Sequence, residues 1–313
     1  MFTQILDEIK NYDTIILHRH SKPDGDAMGS QIGLKHILTE NFPEKKVYMV
    51  GDDVRFFSFM EDSVMDEIAD SVYEGSLAFV LDCGSSHLIS DDRYKLAEKT
   101  IRFDHHLFCE TICDLEMVES SYESCAGLIG DFARQTGLKV NKLAATSLYT
   151  GMLTDSGRFR YDATSARTFE VAAFLMRAEI DTNEIFRNLY ADEYANKKLK
   201  AQFTLKIQFS EHNVAYIYTT KEEADAYDAD TFTISRGMVG TMADMKGVDI
   251  WVNFTETEQG VLCELRSSRY NINPIAVKYG GGGHAKASGA TIPDRETAMA
   301  MLHDLDEMAK GDI

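Results

Sequence analysis

Residues 14–26 read Thr-Ile-Ile-Leu-His-Arg-His-Ser-Lys-Pro-Asp-Gly-Asp, and their order decides the fold. An apolar run, Thr14–Leu17, comes first and reads as a buried strand. A polar loop follows, stiffened by Pro23 and given backbone freedom by Gly25. From Asp26 to Leu38 the apolar residues Met28, Ile32, Leu34 and Ile37 predict a helix. A strand, a loop and a helix make the opening of a βα unit. Working outward, Lys46–Val50, Leu77–Asp82 and Thr100–Phe103 are further short β-like runs. Phe2, Ile5, Leu6 and Ile9 mark a helix over residues 1–10, and Ala126–Gln135, Lys142–Thr154 and Ser165–Arg177 also read as helices. Strands separated by helical segments predict an α/β domain with a mainly parallel sheet.

From Ile185 to Phe209 the pattern is helical and polar, with few breakers. Beyond it the texture changes. Asn213–Thr219, Val248–Thr255 and Gly260–Arg266 are strand-like, and Ile234–Asp244 and Arg295–Ala309 are helical. A glycine-rich turn, Gly280-Gly281-Gly282-Gly283-His284, precedes a last strand near Ser288–Ile292. The division is therefore a catalytic domain over 1–187, a helical linker over 188–210 and a smaller α+β domain over 211–313.

The chain has 313 residues and a formal net charge of −19. So acidic a surface disfavours a partner that is long nucleic acid. A short anionic substrate remains compatible if metals and a few local arginines supply the positive field. The five cysteines (Cys83, Cys109, Cys113, Cys125 and Cys263) form no paired framework and include no Cys-x-x-Cys. No stretch has the layout of a signal peptide or the length of a bilayer span. The expectation is a cytoplasmic protein with reduced thiols and no membrane partner.

The chemistry gathers where the apolar runs end. His20, Asp24 and Asp26 follow the first strand, Asp82 closes the third, Asp104-His105-His106 close the fourth, and Asp155 ends a helix. In open α/β sheets the ligand crevice lies outside the carboxyl ends of the strands. Each acid alone reads equally well as a helix cap. Four such groups together read as metal ligands. Mixed imidazole and carboxylate donors suit Mn²⁺, Fe²⁺, Co²⁺ or Zn²⁺ better than Mg²⁺. Cys109 and Cys113 are poorly spaced for zinc-thiolate binding.

In order, His20-x-x-Pro23-Asp24-x-Asp26, Asp82, Asp104-His105-His106 and Asp155 resemble the four motifs of the DHH phosphoesterase superfamily. Gly280-Gly281-Gly282-Gly283-His284-Ala285-Lys286-Ala287-Ser288-Gly289 resembles the signature of the DHH-associated domain found in RecJ-like and NrnA-type members. The resemblance covers almost the whole chain, and the two-domain length is closest to the NrnA type. It implies a phosphoesterase that splits RNAs of two to five nucleotides, including linear pApA and pApG, and that converts 3′-phosphoadenosine-5′-phosphate (pAp) to AMP. pApA links such enzymes to cyclic di-AMP turnover.

Carried over motif by motif, the resemblance implies two divalent ions, Mn²⁺ first among them. His20 and Asp24 hold one, Asp26, His105 and Asp155 the other, and Asp82 bridges. Catalysis falls to Asp82, Asp104 and His106, with His106 facing the scissile phosphate and Asp104 orienting an imidazole. In the second domain, Gly281, Gly282 and Gly283 resemble the backbone that cradles a terminal phosphate; beside them, His284, Arg266 and Ser267 offer charge and hydrogen bonds, and Arg158, which with Arg160 follows the fourth motif, reads equally as cleft lining or as a surface salt bridge. Glycines let backbone N–H groups approach a phosphate, and an arginine fork grips two of its oxygens.

The sequence departs from the family near Thr233–Met238, where Arg236 stands before Gly237 in place of an acidic residue. Phe56, Phe57, Phe59 and Met60 offer either base stacking or core packing. A RecJ-like 5′–3′ exonuclease is the rival, but it needs a larger cleft and additional basic or OB-like segments. A binding module without catalysis is disfavoured because every metal position holds a competent ligand. A homodimer is left open.

Overall fold

The computed structural model describes residues 1–52 and 56–311. Contacts divide the chain into two compact units, Met1–Ala191 and Asp192–Ile313.

The first unit begins with α1 (Phe2–Asn11), β1 (Thr14–Arg19), α2 (Gly25–Asn41), β2 (Lys46–Met49) and β3 (Leu77–Leu81). It continues with β4 (Lys99–Asp104), β5 (Leu115–Val118), α3 (Cys125–Thr136), α4 (Lys142–Asp155), α5 (Ala166–Met176) and α6 (Thr182–Tyr190). The sheet runs β2-β1-β3-β4-β5, and every pairing is parallel. Parallel strands covered on both faces read as continuous apolar runs, and Leu77–Leu81 is buried at every position. The order reverses between β1 and β3. That switch point is where an open parallel sheet leaves a crevice at its carboxyl edge.

Helix α2 is buried on nearly all sides. Gly25, Gly29 and Gly33 recur every fourth residue and face α4. A Cβ on Gly29 would collide with the Ser147 carbonyl and lie 2.9 Å from the Gly151 nitrogen, so the two helix backbones touch directly. Phe57 and Met60 are buried in this unit's core and Phe59 packs against it, whereas Phe56 is 76% exposed.

The second unit holds α7 (Tyr194–Leu205), β6 (Gln208–Phe209), β7 (Ala215–Thr219), α8 (Lys221–Asp225), β8 (Ile250–Thr257) and β9 (Gly260–Ser267). After these come α9 (Asn273–Lys278), β10 (Gly282–His284), β11 (Ala287–Ile292) and α10 (Arg295–Ala309). Its sheet order is β10-β11-β9-β8-β7-β6, mixed in direction, with only β7 and β8 parallel. No helix among the described residues is long and apolar enough to cross a membrane.

Three expectations differ from the structure. The helix expected over Ile185–Phe209 is broken at Ala191–Glu193, and α7 buries Leu199 and Phe203 in the second unit's core. Residues 194–205 therefore pack as part of that unit. The helix expected over Ile234–Asp244 is a π-helical turn (Thr233–Gly237) followed by a 3₁₀ turn (Val239–Met242). The buried Asn253 amide donates to the Ile234 and Ser235 carbonyls at 2.8 and 2.7 Å, which draws both away from a regular helical ladder. The glycine-rich turn contains a strand, β10, at the edge of the sheet.

Candidate active site

β1 delivers His20 to the carboxyl edge. The His20 Nδ1 lies 2.8 Å from the Ser21 carbonyl, so Nδ1 donates there and Nε2 is left to face the crevice. Nε2 lies 3.7 Å from Asp24 Oδ1 and 3.5 Å from Asp82 Oδ2. Asp24 caps α2, its Oδ1 accepting from the amides of Asp26 and Ala27 at 3.0 Å each. Two residues on, Asp26 is 1% exposed. Its oxygens accept from Cys125 N at 2.7 Å and Ala126 N at 2.8 Å, the first amides of α3. A helix N-terminus favours a carboxylate in this place.

Asp82 follows β3 and is 2% exposed. Its φ of 54° places a non-glycine residue in the left-handed region. Backbone strain of this kind collects at sites where geometry outweighs local comfort. His105 Nε2 lies 3.5 Å from Asp82 Oδ1, 3.7 Å from Asp26 Oδ2 and 3.3 Å from Asp155 Oδ2. Asp155 is the last residue of α4, so close α2–α4 packing brings the acids of two helices together. His106 donates from Nδ1 to Asp104 Oδ1 at 2.7 Å, and its side chain is half exposed.

Three groups of donors result: His20, Asp24 and Asp82; Asp26, His105 and Asp155; Asp82, His105 and His106. Within each, the donor atoms lie within 4.8 Å of one another. Asp82 belongs to the first and third groups, and His105 joins the third to the second. No cysteine enters these groups.

The electrostatics show what this crowding costs. Burial pushes Asp26 well above the usual carboxylate range, and the charges of Asp82 and Asp155 add to it. Burial likewise takes Asp155 to about 6, with His105 opposing and Asp82 adding. Burial opposes protonation of His20, but pairing with Asp24 and Asp82 prevails and raises it to about 10. His105 also reaches about 10, against burial, through Asp82, Asp26 and Asp155. For Asp82, burial is outweighed by His105 and His20, which hold it below its ordinary value.

Asp82 Oδ1 is buried without a hydrogen-bond partner. A buried carboxylate oxygen is normally paired or bound to metal. Four acids converging on three imidazoles fit divalent cations by donor chemistry and by this orphaned oxygen.

Residues 14–152 match the DHH family, N-terminal domain, and residues 213–311 match the DHHA1 domain. The chain is 34% identical to the bifunctional oligoribonuclease and PAP phosphatase NrnA of Bacillus subtilis over 313 residues, covering 99% of each chain. The chain belongs to the DHH family. A probable bifunctional oligoribonuclease and PAP phosphatase NrnA of Streptococcus mutans is 37% identical over 92% of this chain and 93% of its own. An exopolyphosphatase-related protein of Bacteroides fragilis shares the fold, with a TM-score of 0.84 and 25% identity over 99% of this chain and 96% of that one.

In this DHH protein the expected substrate residues are not equally free. β10 pairs with β11 on one side only, and the Gly283 carbonyl accepts from the Asn273 side-chain amide at 2.7 Å. A Cβ on Gly281 would collide with the Gly289 carbonyl, and Gly283 has φ 134°. His284 is exposed. Arg266 reaches the carbonyl of Leu265 at 2.8 Å and the Glu264 carboxylate at 3.1 Å. Ser267 is buried: its hydroxyl donates to the Asp249 carbonyl and accepts from the amides of Arg269 and Tyr270. That hydroxyl is committed to the turn. In the first unit, Arg158 has φ 64° and its guanidinium stacks 5.0 Å from the Tyr190 ring.

Sequence reasoning missed Arg102, which is fully buried between Ile101 and Phe103 and donates to Asp104. A charged residue inside an apolar run was its visible signal. The α3 amides on Asp26 had none, because they come from another element.

Proposed function

We propose that the protein is a metal-dependent phosphoesterase that hydrolyses very short oligonucleotides, pApA and pApG among them, to 5′-mononucleotides, and pAp to AMP. The observation that carries this reading is the linking of the three donor groups through Asp82 and His105 at the β1/β3 switch point. The names of the B. subtilis and S. mutans relatives support the substrate class. The first ion would be held by His20 and Asp24, the second by Asp26, His105 and Asp155, with Asp82 shared. Mn²⁺ suits that donor set. Two such cations, when bound, offset phosphate charge and make water a nucleophile at neutral pH.

The chain's own residues do the rest. His106 presents Nε2 to the phosphate site while Asp104 holds its Nδ1–H, so the ring stands at a fixed angle. In the second unit, the glycine backbone of β10, with His284 and Arg266, suits the binding of a phosphate group. Arg158 contacts the substrate near Asp155. The acidic surface disfavours long strands.

Purified protein with Mn²⁺ should release AMP from both pApA and pAp, and should lose rate steadily on 5′-labelled strands of increasing length. No turnover of pApA, pApG or pAp with metal bound would sink the proposal. Processive degradation of long DNA would replace it with an exonuclease.

A further inference from the structure

We propose that Arg102 is a positioning residue for His106, acting through Asp104; this deepens the phosphoesterase reading and rests on it. β4 places Arg102 and Asp104 on the same face of the sheet, two residues apart. Both are fully buried. Arg102 Nη2 donates to Asp104 Oδ2 at 2.5 Å. Its Nη1 donates to the Glu110 carbonyl at 3.0 Å and lies 3.5 Å from Glu116 Oε1. Asp104 Oδ1 is left for His106 and accepts both its backbone amide, at 3.2 Å, and Nδ1, at 2.7 Å.

The two carboxylate oxygens are thus divided between two partners. The guanidinium fixes one, which sets the plane of the carboxylate, and that plane sets the His106 ring. Nδ1–H is held inward and Nε2 points outward. Without Arg102, Asp104 Oδ2 would be buried and unpaired. The carboxylate would then turn toward other donors, and His106 would lose its fixed orientation.

A buried ion pair is poor evidence of added stability, because an apolar residue often serves as well. The arrangement makes better sense as orientation. The same arginine also ties down the segment after His106. The Glu110 carboxylate accepts from the Ser85 and Ser86 hydroxyls and the Ser86 amide, on the loop that follows Asp82. The segments carrying Asp82 and His106 are therefore linked through one network.

The test is a cycle of Arg102→Met and Arg102→Lys, each with and without His106→Ala, assayed on pApA with Mn²⁺. Arg102→Met should lower kcat by about 10- to 100-fold, the loss typical of removing a group that orients a functional residue, with KM and bound metal little changed. Arg102→Lys keeps the charge and should recover much of that loss. With His106 already removed, Arg102→Met should cost almost nothing further, because the two act as one unit. An equal loss in both backgrounds, an unchanged kcat, or a loss matched by lost metal overturns the proposal. Should Arg102→Met fail to fold, the same cycle with Arg102→Gln, which also removes the charge, decides.

The His106 side-chain ¹⁵N shifts give a readout independent of turnover. Wild-type protein should show Nδ1 protonated, and the variants that remove the Arg102 charge should show mixed tautomers. If wild type turns over none of the substrates, the functional reading fails, and these shifts still decide whether Arg102 orients His106. Unchanged shifts in a folded Arg102 variant that lacks the charge would defeat the positioning role alone.

Discussion

Replacing Gly29 by alanine tests whether backbone contact between α2 and α4 builds the metal site. The added Cβ would stand about 1 Å inside ordinary contact with the Ser147 carbonyl, and 2.9 and 3.0 Å from Gly151 N and Cα. All three are backbone atoms of a packed helix, so none yields by a rotamer change. The helices must part by about that distance. Overpacking of this kind costs about 1–3 kcal/mol. Alanine returns about 1 kcal/mol through helix propensity. The net expectation is a loss of up to about 2 kcal/mol, read from the urea midpoint of the far-UV signal. Trp251, the sole tryptophan, lies in β8 and reports the second unit separately.

Gly33→Ala is the matched control. Its Cβ meets Leu148 Cδ2 and Cγ at 2.5 Å, side-chain rather than backbone atoms, so the helices need not part and the loss should be smaller than for Gly29→Ala. Parting α2 from α4 also separates Asp26 from Asp155, so Gly29→Ala should weaken Mn²⁺ binding in a calorimetric titration more than Gly33→Ala does. A Gly29→Ala protein as stable as wild type, with unchanged metal affinity, would refute the reasoning.

Chelation should abolish turnover, and Mn²⁺ restored to a hundredfold above its dissociation constant should add about 2.7 kcal/mol of stability in thermal unfolding. A melting curve indifferent to Mn²⁺ would contradict the site. Asp82→Ala, which removes the shared donor, should cost about a hundredfold or more in kcat with the far-UV spectrum retained; unchanged turnover would exclude Asp82 as a ligand. In the second unit, Asp306 accepts from His212 N and Nδ1 at 2.8 Å each, anchoring α10 to the turn between β6 and β7. Burial works against the Asp306 carboxylate, but its bonds to Ser210 and His212 hold its pKa below the ordinary value. Its contribution is therefore present above the unfolded value near 3.9 and is lost as pH falls through the lower, folded value. Asp306→Asn should destabilise by about 1–3 kcal/mol at neutral pH, and the gap to wild type should close below about pH 4 in denaturant titrations.

The first unit was legible because burial and chemistry coincide in it. Parallel strands covered on both sides appear as plain apolar runs, and their carboxyl ends are where polar ligands must stand. Thr14–Leu17 and Leu77–Leu81 thus announced both the sheet and the positions of His20 and Asp82. Legibility failed where a backbone's environment comes from distant residues. The Gly282–His284 strand carries too little side-chain pattern to be told from a turn. The Thr233–Gly237 turn depends on Asn253, which lies across the sheet and leaves no local trace. The spacing of Gly25, Gly29 and Gly33 was open to inspection, yet it gains meaning only when α4 lies against it.

Arg102 shows where the two kinds of information meet. Within Ile101-Arg102-Phe103 the sequence places an arginine where an apolar residue would pack at less cost, and burial of the strand turns that oddity into a constraint. A buried charge must have a partner, and the partner two residues on is the aspartate that holds His106. A charge that breaks an otherwise apolar strand just before a ligand cluster therefore marks the support of that cluster. The same rule points to Arg19, the fully buried last residue of β1, directly before His20. Its guanidinium donates to the His20 carbonyl at 3.2 Å and to Gln31 Oε1 at 3.0 Å, tying the end of β1 to α2 just where the proposed metal site begins.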